Sequence, residues 1–147
     1  MSPLPVVICG KNPAIAAIVK DTLQPAYEAI HIITSVEQGT TDIPLLLTGK
    51  TPPNHAGNGG TKKYASVPVA IITGGGYDDE AFDTLKAACK DVKEVPWFRP
   101  DMSRMSEMPS TVEDYARAVS ERCKIALKAL LEGGKGKHEG REGVYYY

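Results

Sequence analysis

Short apolar runs and helical patterns alternate along most of this chain. Four stretches are apolar at successive positions, as is typical of strands covered on both faces. Between them, apolar residues recur every three or four positions, which indicates amphipathic helices. These patterns predict strands at 6–9, 29–34, 67–73 and 95–98.

Capping residues mark where most of the helices should begin. Asn12 is a good N-cap and Pro13 suits the first helical position, where its missing N–H is not needed. A Ser-Thr-Val-Glu sequence at 110–113 has the spacing of a capping box, and Gly133 should end the long helix that follows. A short helix or turn is expected around 41–47. The longer helices should begin at Asn12, at Asp78 and Asp79, and at the capping box 110–113.

This alternation predicts an α/β fold in one domain that spans 1–147, with a parallel sheet between two helical layers. Right-handed crossovers favour the strand order 2-1-3-4 of a Rossmann- or flavodoxin-like sandwich. The polar stretch 50–66 is rich in Gly, Pro and Asn and is predicted as an exposed flexible loop. The tail 134–147 is predicted to be mobile or docked, and its last residues are candidates for a short fifth edge strand.

Composition narrows the functional classes. A net charge of −1 gives no basic surface for nucleic acid or a membrane, and no apolar run is long enough to span one. No secretory signal precedes the first strand, and three scattered cysteines suggest reduced thiols, so a cytoplasmic location is expected. The cysteines and histidines lack metal-ligand spacing, so no metal site is predicted.

The predicted strand order places two glycine turns, 10–12 and 74–76, beside one crevice, because the chain reverses direction between strands 1 and 3. The helix after the first turn offers a positive N-terminus, and Lys11 adds a cation. The dinucleotide motif G-x-G-x-x-G is incomplete, since Asn12 and Ile15 replace its second and third glycines. The favoured alternative for Asn12 and Pro13 is helix capping alone, and the second turn is equally explained by a simple chain reversal.

Other candidate residues follow strands 2 and 4. Thr34 lies near the position where dinucleotide-binding proteins carry an acidic residue, but its hydroxyl can only hydrogen-bond a ribose or phosphate. Trp97 and Arg99 could hold a planar anion by stacking and charge. The alternative is that Trp97 fills the core and Arg99 pairs with Asp101. Cys9 is expected to be a buried structural thiol, since no histidine is placed to activate it.

Three segments together resemble a group of small fungal proteins described as Rossmann-like or NAD(P)-binding-like. They are ICGKNP at 8–13, TGGGYDD at 73–79 and VPWFRPD at 95–101. The resemblance covers nearly the whole chain outside the loop. It implies the nucleotide-binding fold and assigns no catalytic residue.

Three functional hypotheses follow, and whether the chain is an enzyme stays open among them. The first is a module that binds an anionic or nucleotide-like small molecule. The second is an NAD(P)-dependent oxidoreductase-like protein completed by oligomerisation. The third is an interaction protein that forms homo-oligomers through its last helix or tyrosine tail and keeps a relic site. The first assigns ligand contacts to Gly10, Lys11, Asn12, Thr34, Gly74, Gly75, Gly76, Trp97 and Arg99.

Overall fold

The computed structural model describes residues 2–53, 55–136 and 142–147. Strands and helices alternate along the chain. The strands are β1 (Leu4–Cys9), β2 (Tyr27–Ile33), β3 (Ala70–Thr73), β4 (Trp97–Arg99) and β5 (Val144–Tyr146). The helices are α1 (Pro13–Leu23), α2 (Val36–Leu47), α3 (Asp79–Ala88) and α4 (Val112–Gly133). Two short 3₁₀ segments lie at His55–Gly57 and Met102–Glu107.

All five strands form one parallel sheet in the order β2-β1-β3-β4-β5. The predicted order 2-1-3-4 is confirmed, and the last residues of the chain supply the fifth edge strand. β1 pairs with β2 on one side and β3 on the other, with Cys9 level with Thr73. The carboxyl ends of β1 and β3 therefore lie side by side at the reversal point of the sheet.

Helices cover both faces of the sheet and divide the interior into two apolar clusters. α1 packs on α4 over one face, and α2 packs on α3 over the other. Alternate strand residues supply the two clusters: Val6 and Ile8 belong to the α1/α4 side, Val7 and Cys9 to the α2/α3 side. This is the three-layer arrangement that the sequence predicts. Within the described residues, no helix is both long and apolar enough to cross a membrane.

Helix α2 begins earlier than the sequence suggests. A short element was expected around 41–47, whereas α2 starts at Val36 and continues through Pro44. Its start is fixed by Ser35, whose Oγ accepts a hydrogen bond from the Gln38 N–H at 3.1 Å. Ser35 is a good N-cap residue, and this local signal was overlooked in the prediction.

The polar segment 50–66 lies partly against the sheet. Most of its described side chains are exposed. Its central residues, however, follow the outer edge of β2: the Thr61 N–H donates to the Ala29 carbonyl at 3.0 Å and the Lys62 N–H to the Ile30 carbonyl at 2.9 Å. Asn58 completes this edge, since its side chain accepts from the Ile32 N–H at 2.9 Å and donates to the Ile32 carbonyl at 2.7 Å. Loop residues therefore satisfy backbone groups that an edge strand would otherwise leave open.

Candidate functional site

A cavity of about 320 Å³ opens where the carboxyl ends of β1 and β3 meet. We call it the switch-point cavity. Both glycine turns, 10–12 and 74–76, contribute to its lining, so six of the nine predicted ligand residues lie together. The rest of the wall is mostly apolar and comes from α1, β1, β3, α4 and the ends of two loops. Those residues are Ile8, Cys9, Ile15, Ala16, Val19, Ile72, Pro100, Met102, Tyr115, Val119, Cys123 and Tyr147.

The first turn caps the helix that follows it. The Asn12 side-chain oxygen accepts hydrogen bonds from the Ala14 N–H at 2.9 Å and the Ile15 N–H at 3.4 Å. The Ala16 N–H donates to the Asn12 carbonyl at 3.0 Å. Pro13 occupies the first helical position and has no N–H. The capping interpretation of Asn12 and Pro13 is therefore confirmed.

The two turns are joined by backbone and side-chain contacts. The Gly74 N–H donates to the Cys9 carbonyl at 2.9 Å. The side chain of Lys11 then crosses the second turn: a Cβ atom added to Gly76 would lie 3.4–3.5 Å from three Lys11 carbons. Its ammonium stands 5.3 Å from the centroid of the Tyr77 ring, a distance at which cation and ring attract. Lys11 is exposed and forms no ion pair with any residue the structure describes.

The opposite rim is formed by Met102 and Tyr115. A Cβ on Gly75 would lie 3.6 Å from the Met102 sulfur and 3.8 Å from the Tyr115 hydroxyl. Met102 is 53% exposed, although methionine is a large apolar side chain. The rim thus combines one cation with an adaptable thioether and a phenol.

The thiols and the phenol at the base of the cavity are held neutral by burial. Desolvation raises the pKa of Cys9 and of Cys123, and the nearby Cys89 raises that of Cys9 further. Desolvation also raises the pKa of Tyr147, whose hydroxyl donates to the Thr73 carbonyl at 2.8 Å. These groups therefore line the cavity as neutral side chains. The interpretation of Cys9 as a buried structural thiol is confirmed by its complete burial.

The other three predicted ligand residues, Thr34, Trp97 and Arg99, lie outside the cavity lining. Trp97 is buried on the α2/α3 side and meets Phe82 edge to face at 5.7 Å between ring centroids. The Thr34 N–H and hydroxyl both donate to the side-chain oxygen of Gln38, at 2.9 and 3.2 Å. The core-filling alternative for Trp97 is therefore confirmed.

Arg99 is engaged with α3 and the turn before it. Its guanidinium donates to the Asp79 carboxylate at 2.7 Å and to the Tyr77 carbonyl at 3.3 Å. It also lies 4.5 Å from the centroid of the Phe82 ring. The expected pairing with Asp101 is wrong; that carboxylate instead accepts from the N–H and hydroxyl of Ser103.

A buried polar cluster that sequence reasoning missed lies beneath the polar loop. The His31 imidazole contacts the Tyr64 hydroxyl at 2.7 Å through Nδ1 and the Asp42 carboxylate at 2.8 Å through Nε2. All three residues are buried. The available signal was a histidine within an otherwise apolar strand, which requires polar partners nearby.

The chain is similar to one curated fungal protein over most of its length. It is 33% identical to kojic acid related protein 6 of Aspergillus oryzae (strain ATCC 42149 / RIB 40) over 135 residues. The match covers 89% of this chain and 80% of the relative. No family model and no solved structure matches the chain.

Proposed function

We propose that this chain, which belongs to the same family as kojic acid related protein 6 of Aspergillus oryzae, binds a small anionic molecule in the switch-point cavity. The observation that carries the proposal is the cavity itself, which lies at the reversal point of the sheet. Open α/β sheets bind ligands in that crevice, outside the carboxyl ends of the strands. Its volume of about 320 Å³ falls at the lower end of the range of roughly 300–1,000 Å³ that is typical of ligand sites.

The charge at the rim favours a negatively charged ligand. Lys11 is the only charged side chain among the lining residues, and it has no acidic partner within the described part of the chain. Its methylene groups pass over Gly76, and its ammonium stands beside the Tyr77 ring. An anionic group at the mouth would be stabilised by this cation, while the remainder of the ligand contacts apolar walls.

The shape of the cavity gives less support to binding of a dinucleotide. A dinucleotide needs two mononucleotide subsites, and the described cavity has one compact volume. The NAD(P)-dependent hypothesis therefore still depends on completion by another copy. The oligomer hypothesis also stays a prediction: β5 and Tyr147 are docked into their own sheet, and α4 retains Val112 and Ile125 as exposed apolar side chains.

Thermal unfolding with a defined probe panel tests the proposal. The probes are benzoate, AMP, NAD⁺ and kojic acid, the last taken from the relative's name. A probe at a hundred times its Kd should stabilise the fold by about 2.7 kcal/mol, which raises Tm by several degrees. We expect such a rise with at least one probe.

Three variants test whether the rise in Tm comes from binding in the switch-point cavity. Lys11→Ala removes the rim cation and Val119→Trp fills the cavity, so both should abolish the rise in Tm. Lys128→Ala removes a lysine that is exposed on α4 outside the lining, and it should behave like the wild type. If all four probes leave the wild-type Tm unchanged at millimolar concentration, or if the rise survives in Lys11→Ala and Val119→Trp, the proposal is overturned.

A further inference from the structure

Helix α1 has no N–H group left in its first turn for a ligand. Nucleotide-binding sheets usually hold a phosphate on the free N–H groups of this helix. Here Pro13 has no N–H, and the N–H groups of Ala14, Ile15 and Ala16 all donate to Asn12. A phosphate at this position would have to displace the helix's own cap.

The second turn is partly occupied. The Gly74 N–H is already bonded to the Cys9 carbonyl at 2.9 Å, and the Lys11 side chain covers Gly76. The one positively charged group that the lining residues offer to an anion is the ammonium of Lys11. A phosphate ester carries nearly two negative charges and three strong acceptor oxygens, and without the first-turn N–H groups of α1 it would lose water for fewer protein donors than such sites usually offer.

The cavity wall suits a different kind of molecule. Ile15 and Val19 of α1 face Tyr115 and Val119 of α4 across the space, and Met102 closes one side. Burial of an apolar ring between them is favourable in proportion to the area removed from water. One negative group on that ring can then remain at the mouth beside Lys11, where it keeps part of its hydration.

Resting on the proposed function, we infer that the ligand is a compact organic monoanion. Its body is apolar and of about single-ring size, and it carries a carboxylate or comparable single anionic group. The apolar body lies between α1 and α4, and the anionic group faces Lys11. Phosphate esters and nucleotides are poor ligands because Asn12 and Pro13 have closed the anion site of α1.

The test compares benzoate with phenyl phosphate, which share a ring and differ in the anionic group. Titration calorimetry on the wild type should give measurable binding of benzoate and binding of phenyl phosphate about tenfold weaker or more. Asn12→Gly frees the N–H groups of Ala14 and Ile15, and glycine is a tolerated N-cap. We expect this variant to bind phenyl phosphate about three- to tenfold more tightly than the wild type, with little change for benzoate.

Asn12→Ser is the matched control, because a serine hydroxyl also accepts from the first-turn N–H groups. It should keep the wild-type preference. The inference is overturned if the wild type binds phenyl phosphate as tightly as benzoate, or if Asn12→Gly gains nothing for the phosphate. Should Asn12→Gly fail to fold, the wild-type comparison decides alone.

Failure of the inference and failure of the proposed function give different results. Binding of phenyl phosphate that is as tight as that of benzoate and is lost in Lys11→Ala would leave the site in place and refute the monoanion preference. If the wild type binds neither probe, this inference falls, and the proposed function falls with it only if AMP, NAD⁺ and kojic acid also leave the Tm unchanged.

Discussion

The imidazole of His31 lies between a carboxylate and a phenol that come from different parts of the chain. Asp42 lies on α2 and Tyr64 on the polar loop, and each is within hydrogen-bond distance of one ring nitrogen. A carboxylate can only accept, so Nε2 carries the proton and Nδ1 accepts from the Tyr64 hydroxyl. One neutral side chain thus joins β2, α2 and the loop.

The stability of the fold should depend on pH through His31. Burial lowers the pKa of His31 below its ordinary value of 6.5, with a further lowering from His55, while the hydrogen bond and charge of Asp42 oppose the shift. Because the folded state binds its proton less readily than the unfolded chain, the stabilisation is complete above pH 6.5 and is lost as the pH falls below it. Urea unfolding at about pH 7.5 and about pH 5.5 should show a smaller free energy of unfolding in acid.

His31→Asn serves as the comparison for this prediction. It should be less stable than the wild type at the higher pH, because Asp42 and Tyr64 lose a buried partner. Its free energy of unfolding should fall less between the two pH values. Equal losses in the two proteins would show that other groups cause the acid sensitivity.

Single residues also show what the sequence could and could not predict about the site. Gly10, Lys11 and Asn12 were found because a strand, a turn and a capped helix are consecutive in the chain. Trp97 and Arg99 were placed in the site because they follow the carboxyl end of a strand. The directions of these two side chains depend on which helices cover each face of the sheet. Their actual partners, Phe82 and Asp79, lie in a different element of the chain.

At the scale of elements, α2 and α3 approach closely because Gly39 has no side chain. A Cβ at that position would clash with the Leu85 side chain and lie 3.2 Å from an Ile33 methyl group. Gly39→Ala should destabilise the fold by about 1–3 kcal/mol through overpacking, even though alanine favours helix formation. Chemical denaturation measures the loss.

Gly133→Ala is the matched control at the end of α4. A Cβ there meets nothing within 4 Å, so the substitution should be neutral or stabilising by up to about 1 kcal/mol. The clash explanation also requires that Gly39→Ala is less harmful when Leu85 is already alanine. A stabilising Gly39→Ala would contradict it.

The order of the helices and strands was easier to predict from the sequence than the residues at which they begin and end. α2 is longer than the predicted 41–47, and it continues through Pro44 because Ile43, Leu46 and Leu47 are buried in the α2/α3 cluster. Tertiary packing outweighs the unfavourable propensity of the proline. The order of strands was predictable because crossover handedness restricts the topology to few choices.

For the whole molecule, the sheet has its most enclosed strands in the middle. β1, β3 and β4 each have a neighbour on both sides, but β1 and β3 pair with each other at four positions, whereas β3 and β4 pair at two. Amide hydrogen exchange should therefore be slowest in β1 and β3 and orders of magnitude faster in the 3₁₀ segment Met102–Glu107. Mass spectrometry or NMR would measure this, and slower exchange in β4 and β5 than in β1 would contradict the assignment of the centre.

The loop along β2 also determines where the chain can accept foreign sequence. By composition, any position within 50–66 would look suitable for an epitope tag. The hydrogen bonds favour the exposed His55–Gly57 turn, where added residues leave in place the contacts that Asn58, Thr61 and Lys62 make with β2. A tag inserted after Gly60 would instead displace the loop residues that hydrogen-bond to the edge of β2. The exposed edge of β2 would then pair with strands of neighbouring molecules.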